Sequence, residues 1–297
     1  MNIAITGSSG LVGSNLVSYL SEKGINTNRI LRLNSQDNNT VINWHLENGN
    51  CNTAYPDGLD CVVHLAGENI ATGKWTKEKK DRIFKSRVDG TRLLCETISK
   101  LSKPPRVLVC ASAIGFYGDR GDEILDEESS NGTGFLSEVC REWEKAANLA
   151  QQSGIRVVNL RFGMILSTAG GALAKMLSPF KLGFGGRLGN GNQYMSWVTI
   201  DDVAGIIYHA IITASLKGAV NAVSPNPVTN KLFTKTLGRI LKRPTFLLMP
   251  GLAARLVFGE MANELLLSSA RVVPTKLKQA GYTFKYPDLE RALRHLL

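Results

Sequence analysis

The residues best suited to chemistry stand near the start of the chain, where Gly7, Gly10 and Gly13 are set three apart in Thr6-Gly7-Ser8-Ser9-Gly10-Leu11-Val12-Gly13. A short apolar run, Asn2 to Thr6, precedes them, and Leu11, Leu16, Val17 and Leu20 follow at helical spacing up to a stop at Gly24. A strand that turns into a helix on such glycines makes an anion site. Gly7 permits the sharp turn, Gly10 lets backbone approach a diphosphate, and Gly13 lets the helix pack close to the strand. The helix start adds unpaired N–H groups and a partial positive charge. The spacing predicts a dinucleotide turn in which Ser9, Leu11 and Val12 line the ligand beside the three glycines.

The second candidate strand, Arg29 to Leu33, lacks at its end the acidic residue that would take the ribose hydroxyls of NAD. Arg32 stands there, followed by Asn34 and Ser35, and a guanidinium forks onto a 2′-phosphate. A charge-assisted contact of ~1.5 to 3 kcal/mol, roughly a 10- to 150-fold preference, makes NADP(H) the expected cofactor.

Candidates for acid–base work are fewer. Ser112 follows the apolar run Val107 to Ala111, and Tyr117 comes five residues later. Both fall at the carboxyl edge, where open α/β sheets bind ligands. Tyr117 serves as donor or base only if a cation such as Arg161 or Arg87 depresses its pKa of about 10. The competing reading is a packed ring with its hydroxyl on a backbone carbonyl. Glu68 and Cys140 are weaker candidates, since a carboxylate beside a cofactor can be structural and a buried thiol is inert. Asp201-Asp202, ahead of a helix, suits capping. His64 and His209 have no partners at ligand spacing, and no metal is expected.

These residues need a scaffold of strands that alternate with helices. The runs Asn2 to Thr6, Arg29 to Leu33, Val41 to Trp44, Cys61 to Leu65, Val107 to Ala111 and Ile155 to Leu160 read as strands, and the unbroken hydrophobicity of Cys61 to Leu65 suits burial on both faces. Helices are expected over Arg82 to Lys100 and Glu138 to Gln152. The fold class is α/β, a Rossmann-type doubly wound parallel sheet with a smaller, mainly helical C-terminal substrate lobe. Residues 1–165 form the NADP-binding domain, which 196–222 rejoin, and 166–195 with 223–297 form the lobe. Its glycine-rich segment Gly183 to Trp197 reads equally as a mobile lid or a passive crossover.

Within this frame the sequence resembles the extended short-chain dehydrogenase/reductase superfamily, and in it the atypical epimerase family group related to sugar-nucleotide epimerases. Beyond the glycine turn, the likeness is carried by Leu65-Ala66-Gly67-Glu68-Asn69-Ile70, Lys74-Trp75-Thr76, Ser86-Arg87, Ser112-Ala113-Ile114-Gly115-Phe116-Tyr117-Gly118, Arg161-Phe162-Gly163-Met164-Ile165-Leu166, Gly170-Gly171-Ala172, Met195-Ser196-Trp197 and Asn226-Pro227-Val228-Thr229-Asn230. The resemblance implies that Leu65, Ala66 and Gly67 pass beside the adenosine and ribose, with Glu68 next to them. It implies that Arg87 reaches the cofactor and that Ile165, close to Arg161 and Gly163, borders its nicotinamide end. Read as residues alone, Arg87 and Arg161 are equally suited to pairing with carboxylates, and a structural ion pair is the first expectation for Arg161. Members of the superfamily draw their base from a Tyr-x-x-x-Lys pair, and here Leu136 and Cys140 stand at those places. The literal match Tyr19/Lys23 lies behind the glycine turn and reads as a solvated helix face. The resemblance also implies, by analogy only, a homodimer built on the helices beside the fourth and fifth strands.

Composition narrows the partners. The net charge of +10 gathers partly in Lys74 to Arg92 and partly in the last third of the chain, without aromatic interleaving or a nucleic-acid motif; it reads as solvated helix faces, so no nucleic acid is expected. Cys51, Cys61, Cys95, Cys110 and Cys140 are widely spaced, which fits reduced thiols in a cytoplasmic setting. The apolar segment Phe246 to Ala254 is broken by Pro250 and Gly251 and is far shorter than the ~20 residues of a membrane span, so no membrane partner is expected. The function expected is an NADP(H)-binding oxidoreductase or epimerase-like enzyme acting on a small-molecule substrate of carbonyl or sugar-nucleotide type. The alternative is a non-catalytic NADP(H)-binding redox sensor or regulatory protein.

Overall fold

The computed structural model describes residues 1–32, 41–44 and 58–297; the side chains of residues 31, 32 and 41–44 lie outside the described set. Seven strands form one parallel sheet: β1 (Asn2–Thr6), β2 (Asn26–Arg32), β3 (Val41–Trp44), β4 (Cys61–His64), β5 (Val107–Ala113), β6 (Arg156–Phe162) and β7 (Gly218–Ala222), in the order β7-β6-β5-β4-β1-β2-β3. A parallel neighbour cannot be reached by a tight turn, so helices carry the returns. These are α1 (Leu11–Glu22), α2 (Lys77–Ser99), α3 (Phe135–Asn148), α4 (Gly171–Lys181) and α5 (Ile200–Ile212). α1 packs beside α5 and α2 beside α3. The two helical pairs cover the sheet, and β4 is buried along its whole length. Strand order reverses between β1 and β4, which opens a crevice at their carboxyl ends.

Helix α2 begins at Lys77, five residues before the apolar periodicity predicts, because Thr76 caps it by accepting the Lys79 N–H. Lys77 to Asp81 is all charged and carries no hydrophobic signal. Tyr19 corrects another expectation. Its ring is half-buried and meets Tyr208 of α5 edge-on at 6.1 Å, so Tyr19 belongs to the α1–α5 contact, while Lys23, 5.0 Å above the ring, is exposed as expected.

A second, smaller core lies beside the first. Leu173, Leu177 and Phe180 of α4 meet Trp197, Phe233 and Leu237 there, together with the C-terminal helix. The further helices are α6 (Asn230–Leu241), α7 (Gly251–Phe258), α8 (Thr275–Gln279) and α9 (Leu289–Leu296). Short strand pairs stitch the lobe: 164–166 with 197–199, 186–188 with 247–249, and 194–195 with 228–229. The glycine-rich segment is therefore a fastened crossover and not a free lid. A Cβ on Gly186 would lie 2.1 Å from the Leu247 carbonyl, and Gln193 donates to the carbonyls of Leu188 and Leu266. Leu277, Tyr282 and Phe284 leave the small core and pack on the first. They are held there by Asp202 of α5, whose buried carboxylate accepts from Thr199 Oγ1 (3.0 Å), Lys285 N (2.8 Å), Tyr286 N (3.1 Å) and the Tyr282 hydroxyl (3.1 Å).

Candidate cofactor site

The turn between β1 and α1 is shaped by what a side chain would strike. Gly7 has φ +67°, and a Cβ there would sit 2.8 Å from Ala66 N. At Gly13 a Cβ would come within 2.2 Å of the Gly7 carbonyl, so the helix lies directly against its own turn. At Gly10 a Cβ would meet only the Gly7 carbonyl, at 3.3 Å, which leaves the outer side of the turn clear. Helix α1 starts there with no side chain capping it and no acidic residue in its first turn. Ser9 and Gly10 are exposed, Leu11 and Val12 half-buried. Ser8 was not singled out from the sequence, yet its hydroxyl is buried and finds no hydrogen-bond partner among the described residues. An uncapped helix start with an unsatisfied hydroxyl inside the turn fits a diphosphate.

The far wall is the end of β4. The Thr6 hydroxyl accepts the Leu65 and Ala66 N–H groups (3.1 and 3.2 Å), which leaves its single proton for His64 Nδ1 at 2.7 Å. His64 therefore carries its proton on Nε2 and donates to Thr91 Oγ1 at 2.9 Å. Burial lowers its pKa from 6.5 to about 4, so the ring is neutral. Leu65 and Ala66 are half-buried and Gly67 is exposed along the crevice. Behind Gly67 lies the Arg87 guanidinium, 3.4 Å from where a Cβ would stand, donating to the Glu68 carbonyl (3.0 Å) and lying over the Trp143 ring. Burial lowers the Arg87 pKa from its usual range. The Glu68 side chain turns away to Lys79 Nζ at 2.6 Å, at the start of α2, so this carboxylate supports the loop after β4.

The crevice is closed on its third side by the strand after β6. Gly163 allows this strand to cross: a Cβ there would be 2.5 Å from the Ser196 carbonyl. Ile165 follows, half-buried. A Cβ on Gly170 or Gly171 at the start of α4 would lie 3.5 Å from the Leu11 side chain, so two helix starts meet at the glycine turn. Lys175 of α4 donates to the Ala71 carbonyl at 2.8 Å and ties α4 to the loop after β4. Arg32 ends β2 next to β1, but its side chain, with Asn34 and Ser35, lies outside the described residues.

At the ends of β5 and β6 the arrangement is different. Arg161 clasps Glu144 of α3 with two bonds of 2.8 Å and donates to the Tyr117 hydroxyl at 2.9 Å. That hydroxyl shares its one proton between the Asp126 carbonyl (2.8 Å) and Asn221 Oδ1 of β7 (2.7 Å). Ser112 donates to Glu144 at 2.7 Å. The Phe116 ring caps the guanidinium at 3.5 Å. Two catalytic expectations are corrected here. Tyr117 is fully buried, and desolvation pushes its pKa up to about 12 although Arg161 pulls the other way, the opposite of the depressed value that the expectation required. Ser112 is 3% exposed and its proton is committed to Glu144. Arg161, expected by resemblance near the cofactor, forms the structural ion pair that its residue type at a strand end suggested. Glu144 and Asn221 complete the network and had no signal in the sequence, because their partners lie on other elements.

Leu136 and Cys140 on α3 are both buried, and they close against Gly115, whose Cβ position is 3.3 Å from Leu136 Cβ and 3.8 Å from Cys140 Sγ. Burial pushes the Cys140 thiol up to about 12.

With this geometry in view, comparison with known proteins is informative. A model of the NAD-dependent epimerase/dehydratase family matches residues 3–222, and a second, described only as a domain of unknown function, matches 249–296. The chain belongs to the NAD-dependent epimerase/dehydratase family. An epimerase family protein of Mycobacterium bovis is 41% identical over 291 residues, covering 98% of this chain and 96% of its own. A relative from Arabidopsis thaliana, named as a chloroplastic homologue, is 36% identical over 308 residues, covering 100% of this chain and 87% of its own. The crystal structure of human epimerase family protein SDR39U1 with NADPH matches with a TM-score of 0.91 at 32% identity, covering 100% of this chain and 99% of that one.

Proposed function

We propose that this chain binds NADP(H) across the carboxyl ends of β1, β4 and β6 and uses it to move hydride to or from a carbonyl or carbinol carbon of a small substrate of carbonyl or sugar-nucleotide type. The observation that carries the reading is the buried, unpartnered Ser8 hydroxyl inside an uncapped helix start. It is supported by the NADPH of the human relative's crystal structure. The N–H groups at the start of α1 and the Ser8 hydroxyl hold the diphosphate. Leu65, Ala66 and Gly67 lie along the adenosine and ribose, with Arg87 propping Gly67 from behind, and Ile165 borders the nicotinamide end. Arg32 takes the 2′-phosphate. The cofactor supplies the hydride, while residues 166–195 and 223–297 form the substrate side.

The phosphate assignment is tested by calorimetry on Arg32→Ala. Affinity for NADPH is expected to fall 10- to 150-fold while that for NADH stays unchanged; equal losses for both refute it. Hydride transfer is tested by following NADPH oxidation by the purified protein across a panel of carbonyl compounds and sugar nucleotides.

A second reading, a non-catalytic NADP(H)-binding protein that reports redox state to a partner, is favoured by the apolar seam of Gly115, Leu136 and Cys140 where relatives of the superfamily hold their base. NADPH affinity without turnover of any panel member supports it.

A further inference from the structure

Between Lys145 and Gly259 the sequence holds 13 Lys and Arg but only two acidic residues, Asp201 and Asp202, a balance of +11 in a chain whose total is +10. The small lobe contributes most of the exposed part of this stretch, and it also exposes apolar side chains. Leu182, Phe184, Phe246, Leu252, Leu256 and Val257 are each between 57% and 80% exposed. The segments that carry them are neighbours. Residues 186–188 pair in parallel with 247–249, Arg243 Nε donates to the Lys181 carbonyl at 2.8 Å, and α7 follows at once. Within α7 only Ala254 is buried, and Leu252 and Leu256, one turn apart, both face outward. Lys242, with φ +54°, ends α6 and turns the chain onto this face. Lys181, Lys242, Arg243 and Arg255 are exposed around it, and none pairs with a carboxylate among the described residues.

Two phenylalanines and several aliphatic side chains this bare exceed the scattered apolar exposure of an ordinary surface, and a rim of unpaired cations limits what covers them. A second copy of the chain, meeting through the same face, would set these cations against one another, since Glu260, the acidic residue that follows α7, is already engaged by Lys80. An anionic bilayer satisfies both halves: apolar side chains enter the acyl boundary while Lys and Arg meet the headgroups. No helix among the described residues is long and apolar enough to cross a membrane, so the contact is with its surface. The expectation of no membrane partner rested on spanning length alone.

We infer that residues 181–184 and 242–257 form a docking face for an anionic lipid bilayer. The face is set apart from the glycine turn. Helix α4 begins against Leu11 at the glycine turn and ends at Lys181, and its 11 residues set the two sites about 16 Å apart.

The test is flotation of the full chain with vesicles of equal phosphatidylglycerol and phosphatidylcholine, beside vesicles of phosphatidylcholine alone. Binding is expected only with the anionic vesicles, and it is expected to weaken with added salt. Two double variants, Phe246→Ser with Leu256→Ser and Lys242→Glu with Arg243→Glu, are each expected to lower the bound fraction at least tenfold while keeping the wild-type NADPH affinity. Failure of the wild-type chain to float overturns the proposal, as does equal binding to both vesicles. Sedimentation that shows a dimer dissolved by the apolar double variant overturns it in favour of a second copy.

Discussion

Two stretches of one sheet edge, a few strands apart, are built on opposite plans. Where β1 meets α1, a buried hydroxyl and a helix start are left without partners, and every close approach is made by backbone. Where β5 and β6 end, Ser112, Glu144, Arg161, Tyr117 and Asn221 are bonded to one another and sealed under Phe116. Unmet polar groups in a native fold call for something to meet them, while groups bonded to one another make the protein rigid. Unpartnered groups and a bonded network are thus separated along the edge.

The contrast is most sharply tested by Arg161→Met, which strands the Glu144 carboxylate in the interior. Stability to urea is expected to fall by about 3 to 5 kcal/mol, with NADPH affinity per folded molecule unchanged. A variant that loses affinity at unchanged stability would join the two regions. The binding side has its own signature in pH. His64 is buried neutral with a pKa of about 4 against 6.5 unfolded, so the unfolded chain takes up the proton first. Its contribution is complete above pH 6.5 and drains away as pH falls toward 4, about 3 kcal/mol in all. Denaturant titrations from pH 7 to 4 should show this slope in the wild type and lose it in His64→Asn. Next comes Gly13→Ala, whose methyl collides with the Gly7 carbonyl. Calorimetry is expected to show NADPH binding weakened at least a hundredfold, about 2.7 kcal/mol; wild-type affinity would mean that the turn is not the diphosphate site. The smallest effect is expected of Tyr117→Phe, which leaves Arg161 and Asn221 one partner short. A loss of about 1 to 3 kcal/mol of stability is expected, with any hydride transfer intact. Abolished turnover at unchanged stability would return the tyrosine to the mechanism.

The two regions were unequally legible in the sequence. The glycine turn could be read because its signal is local: three glycines, a preceding strand and a following helix all fall within 22 residues. The sheet strands were legible for the same reason, as continuous apolar runs. The support network was not. Arg161 suggested an ion pair by its type and place, but Glu144 lies 17 positions before it on a helix and Asn221 60 positions after it on the edge strand, and no spacing announces a contact between elements. Tyr117 looked catalytic because its position at the carboxyl edge is visible in sequence and its burial is not. The start of α2 was missed because a charged first turn hides from hydrophobic periodicity, and the small lobe's strand pairs, two or three residues long, are shorter than any pattern that could reveal them.

The four groups gathered by Asp202 have a bearing on how the molecule is made. A carboxylate at the head of α5 is completed only by Tyr282, Lys285 and Tyr286, some eighty positions later. During synthesis the sheet strands are all made long before that, yet the interior carboxylate lacks these donors until residues 282–286 have emerged. A truncation that removes residues 282–286 would therefore leave the Asp202 carboxylate of α5 without three of its donors and weaken the packing of α5 on the large sheet.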